Sequence, residues 1–231
     1  MIDNGVRLDG RKSNELRPIT MKVGVLDNAQ GSAYVEWGKN KVLAGVYGPR
    51  EMHPRRLQNP TEATVRLVYN MAPFSVDDRK RPGPDRRSVE ISKISSEALS
   101  NVVQGHKYPN AAIDVFVEIL QADAGTRCVG LTAASMALAD AGIPMKDLVV
   151  ACASGKIEGE VVLDLMKEED NFGDCDLPLA IVPRTGDAVL LQMDGVLTNE
   201  EFKKAFDLAY DGCMQVYEIM KKTLMEKEVG K

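Results

Sequence analysis

This sequence is poor in the residues that mark a metal centre or a covalent framework. It has two histidines, His53 and His106, and four cysteines, Cys128, Cys152, Cys175 and Cys213, spaced 24, 23 and 38 residues apart with no CxxC. A structural zinc site needs closely spaced Cys/His pairs and is excluded. A disulfide framework belongs to small secreted chains, so the thiols read as reduced side chains packed like small hydrophobes. The longest apolar runs, such as Leu148 to Ala153, are far short of the roughly 20 residues that span a bilayer. No membrane partner is expected. Met1-Ile2-Asp3-Asn4-Gly5 shows no basic region followed by an apolar one, so no secretory leader is read and cytoplasm is the expected compartment. Walker and GxGxxG motifs, internal repeats and low-complexity linkers are all missing. What remains, 44% hydrophobic and 27% charged over 231 residues, is a globular balance that excludes disordered and collagen-like chains. One domain spanning 1–231 accommodates it.

Net positive charge is also missing. The total is −5, which taken alone argues against a nucleic-acid partner. The distribution says otherwise. Between Arg50 and Arg87 nine basic residues face five acidic ones, a net of +4, which leaves −9 for the rest of the chain. An arginine-rich island in an acidic protein is the first functional signal.

Periodicity then orders the chain. Ile19, Met21, Val23 and Val25 alternate as in a half-buried strand, and 32–37 and 41–47 flank Gly38-Lys39-Asn40 as a hairpin. Residues 64–71 form another strand. Helical spacing of Ile91, Ile94, Ala98, Leu99 and Val102 predicts a helix over 88–103. Ile113 to Ile119 alternate again, and 127–141 is a helix stopped by Gly142 and Pro144. Strands follow at 148–153, 160–165, 179–182 and 188–193. Thr198 to Glu201 fits a capping box that opens a long helix to about Glu226. This order is α+β or mixed α/β, without the strict alternation of a doubly wound fold.

Three constellations carry candidate chemistry. Asp123-Ala124-Gly125-Thr126-Arg127 lies between a strand and a helix. Gly125 permits close backbone approach, Thr126 and Arg127 supply donors, and the helix start adds free N–H groups, which suits a phosphate-sized anion. The alternative is a plain strand-to-helix turn. Arg86-Arg87 stands at another helix start, where the dipole disfavours cations, so an external anion explains the pair better than helix stability does; solvated surface is the alternative. Third, 168–176 is acidic. On a straight strand Asp170 and Asp176 would lie ~20 Å apart at roughly 3.3 Å per residue. Asn171 and Gly173 allow the chain to fold back so that both carboxylates meet one cation such as Mg²⁺, unless the segment is a solvated acidic loop. Tyr69 and Phe74 within the arginine island are candidates for base stacking or for core packing.

Longer stretches carry a resemblance. Val6-Arg-Leu-Asp-Gly10-Arg11, Tyr47-Gly-Pro49-Arg-Glu-Met-His-Pro-Arg55, Ile119-Leu-Gln-Ala-Asp-Ala-Gly125-Thr-Arg127, Ala139-Asp-Ala-Gly-Ile-Pro144, Leu163-Asp-Leu, Glu169-Asp170 and Gly173-Asp-Cys-Asp176 together resemble the ribonuclease PH family over nearly the whole length. The 51–55 stretch is most similar to its archaeal exosome catalytic branch. The resemblance implies an α+β fold of the ribosomal protein S5 domain 2-like type, a mixed sheet packed with helices. It implies a 3′-to-5′ exoribonuclease that uses inorganic phosphate as co-substrate, releases nucleoside 5′-diphosphates from single-stranded RNA, and runs in reverse to add tails. Carried over by position, Arg87, Gly125, Thr126 and Arg127 bind phosphate. Asp170 and Asp176 are catalytic and hold Mg²⁺, one of them acting as general acid. Arg55, Tyr69 and Arg86 touch RNA. The implied partners are an inactive homologous subunit, in a hexameric ring of three heterodimers, and a trimeric RNA-binding cap. Two other readings stay open: a homohexamer of the same family trimming tRNA 3′ ends, and a non-catalytic RNA-binding ring subunit.

Overall fold

Two five-stranded sheets, a two-stranded ribbon, four α-helices and two 3₁₀ turns make up the computed structural model, which describes residues 2–3 and 6–229. Met1, Asn4 and Gly5 of the segment read for a leader lie outside the described residues. In chain order, β1 (Ile2–Asp3) and β2 (Val6–Arg7) pair as a small ribbon that the periodicity did not signal. Then come β3 (Ile19–Val23), β4 (Gly31–Trp37), β5 (Asn40–Glu51), β6 (Thr64–Met71), α1 (Arg86–Ser100), β7 (Ala111–Gln121) and α2 (Thr126–Asp140). The second part has β8 (Val150–Ile157), β9 (Glu160–Leu163), α3 (Lys167–Phe172), β10 (Cys175–Val182), β11 (Asp187–Leu191), β12 (Asp194–Gly195) and α4 (Asn199–Val229).

The first sheet runs β3-β4-β5-β7-β6. Its pairs are antiparallel except β6 with β7, which are parallel and joined by the crossover carrying α1. The second runs β11-β10-β8-β9, all antiparallel, with β12 added to β10. Period-two patterning decides what faces inward: Ala33, Val35 and Trp37 of β4 are buried while Tyr34 and Glu36 between them are half-buried.

Helix α2 packs on β4, β5 and β7 of the first sheet and on β8 and β10 of the second. Past Arg127, which faces the cavity end, it is therefore apolar or small all round, buried continuously from Cys128 to Leu138, with no single stripe. Helix α4 covers β8, β9 and β10 with Ala205, Ala209, Cys213, Val216 and Met220, spaced at helical intervals and fully buried. Each larger side chain of that row stabilises by roughly 1.5–3 kcal/mol relative to exposure. The core is continuous from one sheet through α2 to the other. All four cysteines are free and buried, and burial raises their thiol pKa values, to about 11 at Cys175 and about 12 at Cys213. These are inert thiols.

Two differences from the sequence expectations matter for function. Helix α1 starts at Arg86 rather than near residue 88, because Asp85 caps it: its carboxylate accepts from Ser88 N at 2.7 Å, and Ser88 Oγ accepts from Asp85 N at 2.8 Å. Arg86 and Arg87 thus lie in the first turn. The acidic 168–176 stretch is not one loop. It is helix α3, a close approach at Gly173, and the start of β10.

Candidate active site

A cavity of about 580 Å³ opens where the start of α1, the start of α2, helix α3 and strand β10 meet. Arg87, Gly125, Thr126, Arg127, Asp170 and Asp176 all line it. These residues, up to 89 positions apart in the chain, therefore face one volume, which brings members of all three candidate constellations together.

On one wall the strand-to-helix turn is built for close approach. Gly125 caps α2 at φ 66°, a left-handed conformation that glycine adopts without strain, and no side chain caps the helix. The leading N–H groups of α2 are thus left to a ligand. Arg127 is held from behind: Nη2 donates to Glu90 Oε2 at 3.0 Å and Nη1 donates to Gln192 Oε1. Gln192 Nε2 in turn donates to Glu90 Oε1 at 2.9 Å. The Nε of Arg127 is buried without a hydrogen-bond partner. Arg127 lines the cavity with Arg87, and a guanidinium with a donor left unpartnered is a group that an anion would satisfy.

On the opposite wall stand the carboxylates. Gly173 lets the chain fold back, since a Cβ there would lie 2.5 Å from Glu169 O. Asp170, on α3, and Asp176, on β10, thereby meet at the cavity despite their separation along the chain. Burial, then the charge of Asp170, raises the pKa of Asp176 to about 7 against the pull of Arg127 and Arg87. Asp170 is also raised, by burial, with Arg87 and Arg17 opposing. A carboxylic acid that keeps its proton near neutrality can give it to a leaving oxygen.

The RNA-facing expectations fare differently. Arg55 lies on a short 3₁₀ turn away from the cavity lining, its side chain 80% exposed and 3.4 Å from Glu51. Arg86 is exposed beside the cavity without lining it. Tyr69 requires correction as a stacking platform. Its ring is 3% exposed within the core, packed near Gly130, and its hydroxyl donates to Thr126 Oγ1 at 2.8 Å. A buried ring has no face for a base; Tyr69 reaches the site only by its hydroxyl, against Thr126. Phe74, by contrast, is 74% exposed. The +4 island is also partly structural, because Arg50 and Arg66 both pair with Asp114.

Sequence reasoning missed Glu90, Gln192 and Asp194. Asp194 lines the cavity from the two-residue strand β12, too short to carry a period in the sequence. As to a metal, among the described residues no group of three or more His, Cys, Asp or Glu gathers to hold one. Asp170 and Asp176 offer oxygen donors only, close enough for one to raise the other's pKa. That donor set fits Mg²⁺, which is commonly held by one or two carboxylates with substrate phosphates completing its shell.

Comparison with known proteins identifies the family. The model of the 3′ exoribonuclease family, domain 1, matches residues 15–144, and that of domain 2 matches 147–212. The chain is 66% identical over 225 residues to the exosome complex component Rrp41 of Thermococcus kodakarensis, covering 97% of this chain and 90% of that protein. It is 60% identical over 228 residues to the Rrp41 of Methanopyrus kandleri, covering 99% and 95%. Among solved structures, rice (Oryza sativa) Rrp46 superposes with a TM-score of 0.86 at 28% identity, over 95% of this chain and all of that one.

Proposed function

The chain belongs to the 3′ exoribonuclease family, and from that premise we propose that it is the phosphorolytic subunit of an archaeal exosome. The observation that carries the reading is the convergence of an arginine-lined anion wall and a carboxylate wall on one cavity. No serine or cysteine nucleophile is needed, because inorganic phosphate is the nucleophile.

The chemistry follows from what the walls offer. Arg87, Arg127 and the N–H groups around Gly125 and Thr126 hold phosphate against the terminal phosphodiester of the RNA, offsetting the repulsion of two anions and fixing the direction of attack. A phosphate oxygen bonds to the terminal phosphorus, the bond from phosphorus to the 3′-oxygen of the preceding nucleotide breaks, and a nucleoside 5′-diphosphate leaves. The departing 3′-oxygen takes a proton from Asp176, the residue whose pKa lies nearest neutrality. Asp170 helps to keep that proton in place by its own charge. Mg²⁺ held by Asp170 and Asp176 would neutralise charge on the phosphoryl oxygens when bound. Arg55 and Arg86 contact the RNA backbone outside the cavity.

The whole chain works as one catalytic unit inside a larger assembly. An inactive homologue alternates with it in a hexameric ring of three heterodimers beneath a trimeric RNA-binding cap, in the cytoplasm. A homohexamer trimming tRNA ends would instead be active when expressed alone, and a non-catalytic ring subunit would have no use for a raised carboxyl pKa facing two arginines. The deciding experiment incubates 5′-labelled single-stranded RNA with and without phosphate, for the chain alone and with its partner. Phosphate-dependent shortening with diphosphate products is expected; monophosphates formed without phosphate would overturn the proposal.

A further inference from the structure

The first seventeen residues hold three buried arginines that the reaction does not use. Arg7, Arg11 and Arg17 are 3%, 9% and 5% exposed. A buried guanidinium persists only when paired and hydrogen-bonded, so its partners show what it was placed to hold.

Arg7 holds helix α3. Its Nε donates to Glu169 Oε1 at 2.8 Å and its Nη2 to Glu169 Oε2, a fork on a fully buried carboxylate. The same guanidinium donates to Leu163 O at 2.5 Å and to Asp164 O at 2.9 Å. Glu169 Oε2 also accepts from Met166 N at 3.0 Å, closing the start of α3. Glu169 precedes Asp170, so the helix that presents Asp170 is fastened through its neighbour.

Arg17 holds the opposite wall. Its Nε and Nη2 donate to Asp164 Oδ2 and Oδ1 at 3.0 and 2.7 Å, while Nη1 donates to Asp123 O. Its Nη2 would lie 3.4 Å from a Cβ at Gly125, directly under the anion loop. Asn40 completes the fastening, donating to Ala124 O at 2.7 Å and accepting from Asp123 N at 2.6 Å. Trp37 Nε1 donates to Asp164 Oδ2 at 2.8 Å. Two residues in this network, Ala124 at φ 55° and Asp164 at φ 55°, are non-glycine residues in the left-handed region, a conformation kept only when the surroundings over-determine it.

We propose that Arg7 and Arg17 are positioning residues: with Asp164 between them, they lock the helix carrying Asp170 to the loop carrying Gly125, Thr126 and Arg127. The two walls face each other across the cavity, but the covalent path between them runs through β8 and β9. The relay behind the cavity is the short non-covalent link, and it fixes the separation on which proton transfer and attack depend. The inference rests on the phosphorolytic reading above.

The test uses the chain assembled with its partner subunits, with kcat and the KM for phosphate measured separately on labelled RNA and the folded fraction read by circular dichroism. The double variant Arg7→Met/Glu169→Leu removes the pair without leaving a lone buried charge. It is expected to lower kcat about 10- to 100-fold, the scale of a misplacement of about 1 Å, with the phosphate KM within about twofold. Arg7→Lys, which keeps the charge but not the fork, should recover part of that loss. Arg17→Lys should raise the phosphate KM by roughly tenfold, because it loosens the anion loop. A structural role alone predicts less folded protein with unchanged kinetics per folded molecule; unchanged kcat in the double variant and unchanged phosphate KM in Arg17→Lys would overturn the proposal. If the double variant does not fold, the two lysine variants decide in the same way. Wild-type protein that needs no phosphate would bring down the phosphorolytic reading itself, an outcome separate from indifferent variants of a phosphate-dependent wild type.

Discussion

Asp164 and Asp176 belong to two clusters of charge separated along the chain only by helix α3, and their pKa values shift in opposite directions. Burial would raise both. At Asp164 the Arg17 charge and fork, the Arg17 N–H and the Trp37 N–H outweigh burial and hold the carboxylate below its ordinary range. At Asp176 no guanidinium among the described residues forms a bond, burial and the Asp170 charge prevail, and the pKa rises to about 7. The difference lies in completion. Behind the cavity each charge has a partner and the cluster holds shape; inside it donors and a proton are left over, and these are what a substrate can use.

The sharpest way to break this contrast is to exchange the carboxylates for amides. Asp176→Asn should lower kcat by on the order of 10²–10⁴, the usual contribution of a general acid, with RNA affinity unchanged in a binding titration. In the wild type, kcat should fall about tenfold per pH unit above about 7, where the acid form of the Asp170/Asp176 pair is lost. Asp164→Asn should instead act on stability. It leaves Arg17 underpaired in the core and is expected to lower unfolding free energy by about 3–5 kcal/mol in a denaturant titration, toward the low end because Asp123 remains 3.3 Å away.

The signs of the two pH dependences also differ. The folded pKa of Asp164 lies below its unfolded value, so its contribution to stability is present above about pH 4 and lost as pH falls. That of Asp176 lies above, so its contribution is present below about pH 4 and lost as pH rises toward 7. Asp176→Asn should therefore be more stable than wild type at pH 8, by on the order of 1–2 kcal/mol given about 1.4 kcal/mol per pKa unit and partial relief by water in an open cavity. A variant that is less active and no more stable at pH 8 would contradict the raised pKa.

Smaller effects test the anion wall and the rim. Arg127→Ala should raise the phosphate KM by roughly tenfold or more, the worth of a charge-assisted hydrogen bond or two. Arg55→Ala should change stability by less than about 0.5 kcal/mol, weaken RNA binding, and reduce the salt slope by about 0.7. Equal losses from the two arginines would erase the distinction between cavity and rim.

Local patterning made much of this legible. Strand β6 has the bounds expected from the sequence, and α2 and α4 differ from expectation only at their ends. The convergence of Arg87, Gly125–Arg127 and the two carboxylates was anticipated from residue type and from the family resemblance. Helix α3 was not, because six residues are too few to show a helical period, and its fully buried charge, Glu169, looks in sequence like the exposed Glu168 beside it. Tyr69 was misplaced at the RNA for a related reason: an aromatic residue on a strand has the same local signature whether its face is covered or open.

Sequence alone determined the longer elements, the inert thiols, the family and the residue types of the site, because periodicity, turn chemistry and side-chain chemistry are properties of short stretches. Tertiary structure decided which charges are paired. The partners of Arg7 and Arg17 lie 106 to 162 residues away along the chain. Whether a carboxylate is held low by such a partner or left near neutrality beside a cavity depends on distance and burial, quantities that only the packed chain possesses.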